Sequence, residues 1–85
     1  MKLESIMAVK PFFVRAEWDE EASVWVATSD DVPGLATEDA TMEGLVEKLK
    51  LIIPELLKAN GLRIDREVPF EVMTRRFEIA QSAGI

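Results

Sequence analysis

Between residues 12 and 18 apolar and polar positions alternate, with Phe12, Val14, Ala16 and Trp18 on one side and Phe13, Arg15 and Glu17 on the other. That period of two is the mark of a half-buried strand. A polar run, 19–23, separates it from residues 24–29, whose β-branched and aromatic character predicts a second strand and therefore a hairpin. Pairing Ala16 with Val26 and Val14 with Thr28 gathers Phe12, Val14, Ala16, Trp18, Val24 and Val26 on one face and turns Phe13, Trp25 and Ala27 to the other. A slip of one residue reverses that assignment. Asp30-Asp31-Val32-Pro33-Gly34 is a loop by composition, because Asp bonds to nearby backbone, Pro fixes φ and Gly permits positive φ. A short third strand, 35–38, is expected after it.

The pattern then changes period. Met42, Leu45, Val46, Leu49, Ile52, Ile53, Leu56 and Leu57 recur every three or four residues, leaving Glu43, Glu47, Lys48, Lys50, Glu55 and Lys58 mostly outside. This predicts an amphipathic helix with one stripe facing the sheet. Thr41 is suited to its N-cap and Asn60-Gly61 to a left-handed C-cap, with Glu43 complementing the dipole. Pro54 removes the bond to the Lys50 carbonyl and should bend the helix without ending it. Gly44, in the first turns, marks either a close approach of the sheet or a position where glycine is merely tolerated, and tolerance is the expectation. Residues 63–67 form a charged connector. Val68, Phe70 and Val72 alternate with Pro69, Glu71 and Met73 as a last strand, and Pro69 assigns it to a sheet edge. A helix between strands suggests a crossover that lays the last strand parallel to an earlier one. The expected architecture is α+β in the order β-β-β-α-β, an antiparallel meander with one helix on one face and a final edge strand. Residues 1–85 make a single domain with its core at about 10–73, and 74–85 are a short terminal helix or a tail.

Composition narrows the function classes. The 85 residues carry 10 Lys and Arg against 16 Asp and Glu, a net charge of −6, which disfavours broad binding to phosphate backbones. The hydrophobic fraction of 48% is too high for a disordered acidic tail. Cys and His are both absent, which removes disulfides, Cys/His zinc sites, Cys nucleophiles and imidazole-dependent schemes. No catalytic residue, metal-ligand set or cofactor is expected. Residues 1–11 are too short and too polar for a secretory signal, with Met7 as a second candidate start, and the longest apolar run elsewhere, Leu51-Ile52-Ile53, falls far short of a membrane span. A cytoplasmic location is expected.

Charge is unevenly placed. Between Ala16 and Glu47 there is no Lys or Arg, while Glu17, Asp19, Glu20, Glu21, Asp30, Asp31, Glu38, Asp39, Glu43 and Glu47 all fall there. Hairpin, loop and helix start are thus expected to form one acidic end. It is either a solvated face or a docking surface for a basic partner, which long-range attraction would steer. A cation site would need oxygen ligands converging, and no EF-hand spacing is present. Phe13 and Trp25 on the uncovered face suggest an oligomer interface, unless Phe77 and Ile79 of the tail cover Trp25.

In order along the chain come Trp18-Asp19-Glu20-Glu21, Val24-Trp25-Val26-Ala27, Asp31-Val32-Pro33-Gly34-Leu35-Ala36-Thr37, and Thr41-Met42-Glu43 opening an amphipathic helix. This order resembles the N-terminal domain of HicB-type antitoxins, most closely the short stand-alone HicB-like proteins of unknown function. The similarity spans about residues 12–57, with a weaker match at Val68-Pro69-Phe70. The resemblance implies a partial RNase H-like fold that binds and masks a small basic mRNA-cleaving toxin of the HicA type. Asp31, Pro33 and Gly34 match the family loop, and Thr41 and Glu43 the helix start, as structural positions. Typical HicB antitoxins also carry a C-terminal DNA-binding domain, for which the residues after Met73 are too few. The expectation is therefore a non-catalytic protein-binding module, with Glu17, Asp19, Glu20, Asp30, Asp31, Glu38 and Asp39 facing the partner. The competing class is a self-associating structural or regulatory homo-oligomer, a dimer, made by strand edges and by the open sheet face that carries Phe13 and Trp25. The fold name also raises a metal-dependent nuclease, for which Glu17 and Glu43 are available but no matching set is evident on one face.

Overall fold

The computed structural model describes residues 10–64 and 66–83. Residues 1–9, where no secretory signal is expected, lie outside the described residues, as do Asp65 and residues 84–85. The elements are β1 (Phe12–Asp19), β2 (Val24–Thr28), β3 (Ala36–Asp39), α1 (Met42–Ala59) and β4 (Phe70–Arg75). They form an α+β domain with a mixed four-stranded sheet in the order β3-β2-β1-β4. β1, β2 and β3 are an antiparallel meander, and β4 lies parallel to β1 at an edge, as the proline and the crossover require.

The hairpin register differs from the sequence expectation by one residue. Ala16 pairs with Ala27, Glu17 with Val26 and Trp18 with Trp25. The reason lies in the turn. Asp19 belongs to β1 and pairs with Val24; its Oδ1 accepts from the Glu21 and Ala22 amides at 3.0 and 3.1 Å. Ser23 takes a left-handed φ of 57°, which lets a loop one residue shorter close the ladder. The slip carries Trp25 and Ala27 to the same face as Val14, Ala16 and Trp18, leaving Phe13, Val24 and Val26 on the other.

That first face is the covered one. α1 packs over β2 and β3, and Leu45, Leu49, Ile53 and Leu57 meet Val14, Ala16 and Ala27 in a core with no solvent exposure at these positions. Val32 and Leu35 close it from the β2–β3 loop, which Ser29 holds: its hydroxyl accepts from the Asp31 and Val32 amides at 3.0 and 3.1 Å and donates to the Phe13 carbonyl. The small residues Ala16 and Ala27 stand opposite one another on the covered face, and over β2 the short side chain of Ala27 lets the leucine stripe approach the sheet.

α1 begins as expected. Thr41 Oγ1 accepts from the Gly44 amide at 3.0 Å, and the helix continues through Pro54 to Ala59. At its far end Gly61, with φ of 90°, donates to the Lys58 carbonyl and Leu62 to that of Leu57, both at 3.0 Å, so the exposed carbonyls are satisfied. The last strand starts two residues later than expected, after Pro69, whose carbonyl accepts from the Phe12 amide at 3.0 Å. Residues 76–83 carry no regular structure, so of the two expectations for the C-terminal segment the tail holds for the described part.

Candidate functional site

An antiparallel meander puts successive connections at opposite ends of its sheet. The β1–β2 turn, the end of β3 and the start of α1 therefore share one end, while the β2–β3 loop lies at the other. The expected single acidic end is thus divided. Glu17, Asp19, Glu20, Glu21, Glu38, Asp39 and Glu43 belong to the turn end; Asp30 and Asp31 do not. An ion pair and a backbone hydrogen bond engage the latter pair. Arg15 Nη2 bonds Asp30 Oδ2 at 3.1 Å, an exposed pair of small energetic weight, and Asp31 Oδ2 accepts from the Phe13 amide at 2.8 Å. Asp31 thereby fastens the loop to β1. A shallow groove of about 230 Å³ lies beside them, lined by Phe13, Arg15 and Met73.

At the turn end the carboxylates divide again, into those that accept hydrogen bonds from neighbouring groups and those that do not among the described residues. Asp19 holds the turn, and Glu20 Oε1 accepts from Trp18 Nε1 at 3.1 Å. Asp39 is the most committed. Its Oδ1 accepts from the Thr41 amide at 3.0 Å and from the Thr41 hydroxyl at 3.3 Å, and Lys48 Nζ stands 3.4 Å from Oδ2. The Thr41 amide bond, outweighing desolvation and aided by Lys48, holds the Asp39 carboxyl below its ordinary 3.8, because these partners favour the charged form. Glu17, Glu21, Glu38 and Glu43 are exposed. Glu38 and Glu17 flank Val26 in one row across the uncovered face, with Arg75 next in that row.

Asp39 also explains Gly44. A Cβ on Gly44 would fall 2.7 Å from Asp39 Cγ, inside contact distance, so a side chain there would have to displace the hydrogen-bonded Asp39 carboxylate, and close approach favours the glycine. Gly44→Ala should therefore fail to yield the gain of about 1 kcal/mol that the same change gives in an open helix, and should yield it in an Asp39→Ala background. Urea unfolding of the four chains measures this coupling. Additive effects would mean that the Asp39 carboxylate does not occupy that space.

The two tryptophans sit together on the covered face at the turn end, ring centroids 5.3 Å apart and edge to face. The expected outward Trp25 is corrected accordingly: it is half-buried against Trp18, while Phe13 on the opposite face is 50% exposed. Nor do Phe77 and Ile79 cover Trp25, since they remain 78% and 74% exposed. Arg76 does so instead, its guanidinium 4.4 Å from the Trp18 ring centre and 5.9 Å from that of Trp25, a cation–π arrangement. Glu78 Oε2 accepts from Arg76 Nε at 2.6 Å. The sequence reading missed Ser29, Lys48 and Arg76. Only the last left a signal, since an arginine following an edge strand beside Trp18 lies within reach of that ring.

Glu17 and Glu43 do not converge, for Glu17 is on the uncovered face and Glu43 on the helix across the sheet. Among the described residues no three carboxylates come together as a metal-binding group, and no helix is long and apolar enough to cross a membrane.

These features define a small α+β domain whose helix screens one face of a mixed sheet and whose turn end carries several exposed carboxylates. A family model for a domain of unknown function (DUF1902) matches residues 11–82, and the chain belongs to that family. It is similar to the hypothetical protein TTHA1013 from the extremely thermophilic bacterium Thermus thermophilus, whose crystal structure aligns at 48% identity and a TM-score of 0.64, covering 86% of this chain and 100% of that one. A comparison with curated proteins returns no match.

Proposed function

We propose that the chain is a non-catalytic HicB-like protein-binding module of the cytoplasm, with a partial RNase H-like fold, that acts in the manner of an antitoxin by engaging a small basic protein of the HicA toxin type. One observation carries this reading: Glu17, Glu20, Glu21, Glu38 and Glu43 crowd the turn end. An excess of one sign steers an oppositely charged partner and fixes its orientation, and the acids here outnumber Lys48, Arg75 and Arg76 beside them. Asp19 and Asp39 serve that surface indirectly, by fixing the turn and the helix start, and Asp30 and Asp31 fall outside it. The resemblance in the order of motifs supplies the partner class.

The test is a pull-down from native cell lysate with three chains: wild type, Glu20→Lys/Glu21→Lys, and Asp30→Asn. Wild type and Asp30→Asn should both retain a small basic protein that salt releases. The double charge reversal should weaken retention tenfold or more, since like charges brought together cost several kcal/mol. Equal retention by all three chains, or recovery of the chain alone, would sink the reading.

A further inference from the structure

The two edges of the sheet are unlike. At the β3 edge, Lys48 donates to the Glu38 carbonyl and sits beside Asp39, and the strand ends in two acids that would repel a second copy of themselves. Edge strands shielded by charge in this way resist pairing. β4 has neither device, and among the described residues nothing bonds to its outer side.

Which backbone groups β4 offers follows from the parallel ladder. The Phe12 amide donates to the Pro69 carbonyl and Phe12 pairs with Phe70. In a parallel ladder such a residue bonds to the neighbours on either side of its partner, so Glu71 and Met73 direct their amides and carbonyls at β1. Phe70, Val72 and Thr74 direct theirs outward. Pro69 lies in the inward set, so its missing N–H does not interrupt the outer edge.

We propose that a second copy of this chain pairs with that edge, antiparallel to β4 and centred on Met73, so that the two sheets become one. Two conditions select this register. A two-fold axis normal to the sheet keeps the helix-covered faces on the same side, so only residues of like orientation stand opposite one another. Of the registers that remain, the one centred on Met73 sets Glu71 against the partner subunit's Arg75, and the symmetry repeats that ion pair. A shift centred on Val72 sets Glu71 against Met73; one centred on Thr74 sets Met73 against Arg75. In the chosen register Val72 and Thr74 exchange the outward hydrogen bonds. Glu71–Arg75 and Met73–Met73 are the closer pairs without hydrogen bonds, where side chains interact most. Met73, 57% exposed in the single chain, is then covered by its own symmetry mate. The pairing is independent of the acidic turn end and of any basic partner.

The chain contains no cysteine, so an introduced one reports on proximity without competition. In air-oxidised full-length protein Met73→Cys should give a covalent dimer, because facing positions of this type bring their Cα atoms within disulfide range, and Glu55→Cys on the outside of α1 should not. Sedimentation at several concentrations should show a wild-type dimer. Glu71→Arg alone and Arg75→Glu alone should each dissociate at least tenfold more readily, while a one-to-one mixture of those two variants should recover the dimer, since opposite charges then face each other again. A wild-type chain that stays monomeric, or a dimer indifferent to both charge changes, would overturn the proposal. So would a dimer in which Met73→Cys does not cross-link. Both altered residues are exposed, and recovery in the mixture separates an interface effect from misfolding.

Discussion

Leu49→Ala should lower the free energy of unfolding by about 2–5 kcal/mol, the range for a leucine deleted from a rigid core. Leu49 is wholly buried at the middle of the stripe from Leu45 to Leu57. The same core includes Ala16 and Ala27 on the sheet, which have no atoms to swing into the space a missing isobutyl group leaves. The cavity should persist, which places the cost high in that range. A domain of this length stands toward the lower end of the usual 5–15 kcal/mol of total stability. The melting temperature should therefore drop by about 10 °C or more. Thermal and urea unfolding followed by circular dichroism measure both quantities. A loss below about 1 kcal/mol would mean that the helix does not seat on the sheet.

Pro54→Ala acts in the opposite direction and should stabilise the domain by about 1–2 kcal/mol. Pro54 lies inside an uninterrupted helix, where it deprives the Lys50 carbonyl of a donor and its ring crowds that carbonyl. Alanine restores the donor and removes the crowding, a change worth about 3 kcal/mol in a helix interior. Against this stands the stiffness proline gives the unfolded chain, about 0.4–1 kcal/mol, and the partial burial of its ring. The same urea series reads the balance. Unchanged or reduced stability would show that the ring's packing outweighs the restored bond.

What the sequence disclosed of this fold was what local chemistry determines. The helix, its Thr41 cap and its Asn60-Gly61 exit follow from neighbouring residues and appear where expected. The edge position of β4 follows from Pro69. The hairpin register depends on a turn closed by the Asp19 carboxylate and a left-handed Ser23, and a β-branched strand of alternating pattern does not reveal that. One residue of slip moved Trp25 to the covered side and with it half of the expected oligomer surface. The preference for glycine at position 44 comes from Asp39, a contact between the end of one element and the start of the next. For the acidic site the division was within reach, since reversal of direction in a meander alone sends Asp30 and Asp31 away from Glu20 and Glu38. The structural service of Asp39 and Asp31 was not, because it depends on which amides they meet.

The paired indoles have a practical corollary. The chain has two tryptophans and no tyrosine, and both rings share one corner with Arg76 stacked above. Intrinsic fluorescence therefore watches that corner alone. Fraying of α1 around Asn60, at the opposite extremity, will pass unseen by emission while amide exchange records it. Agreement between those two probes during unfolding marks the moment when the domain comes apart as a unit.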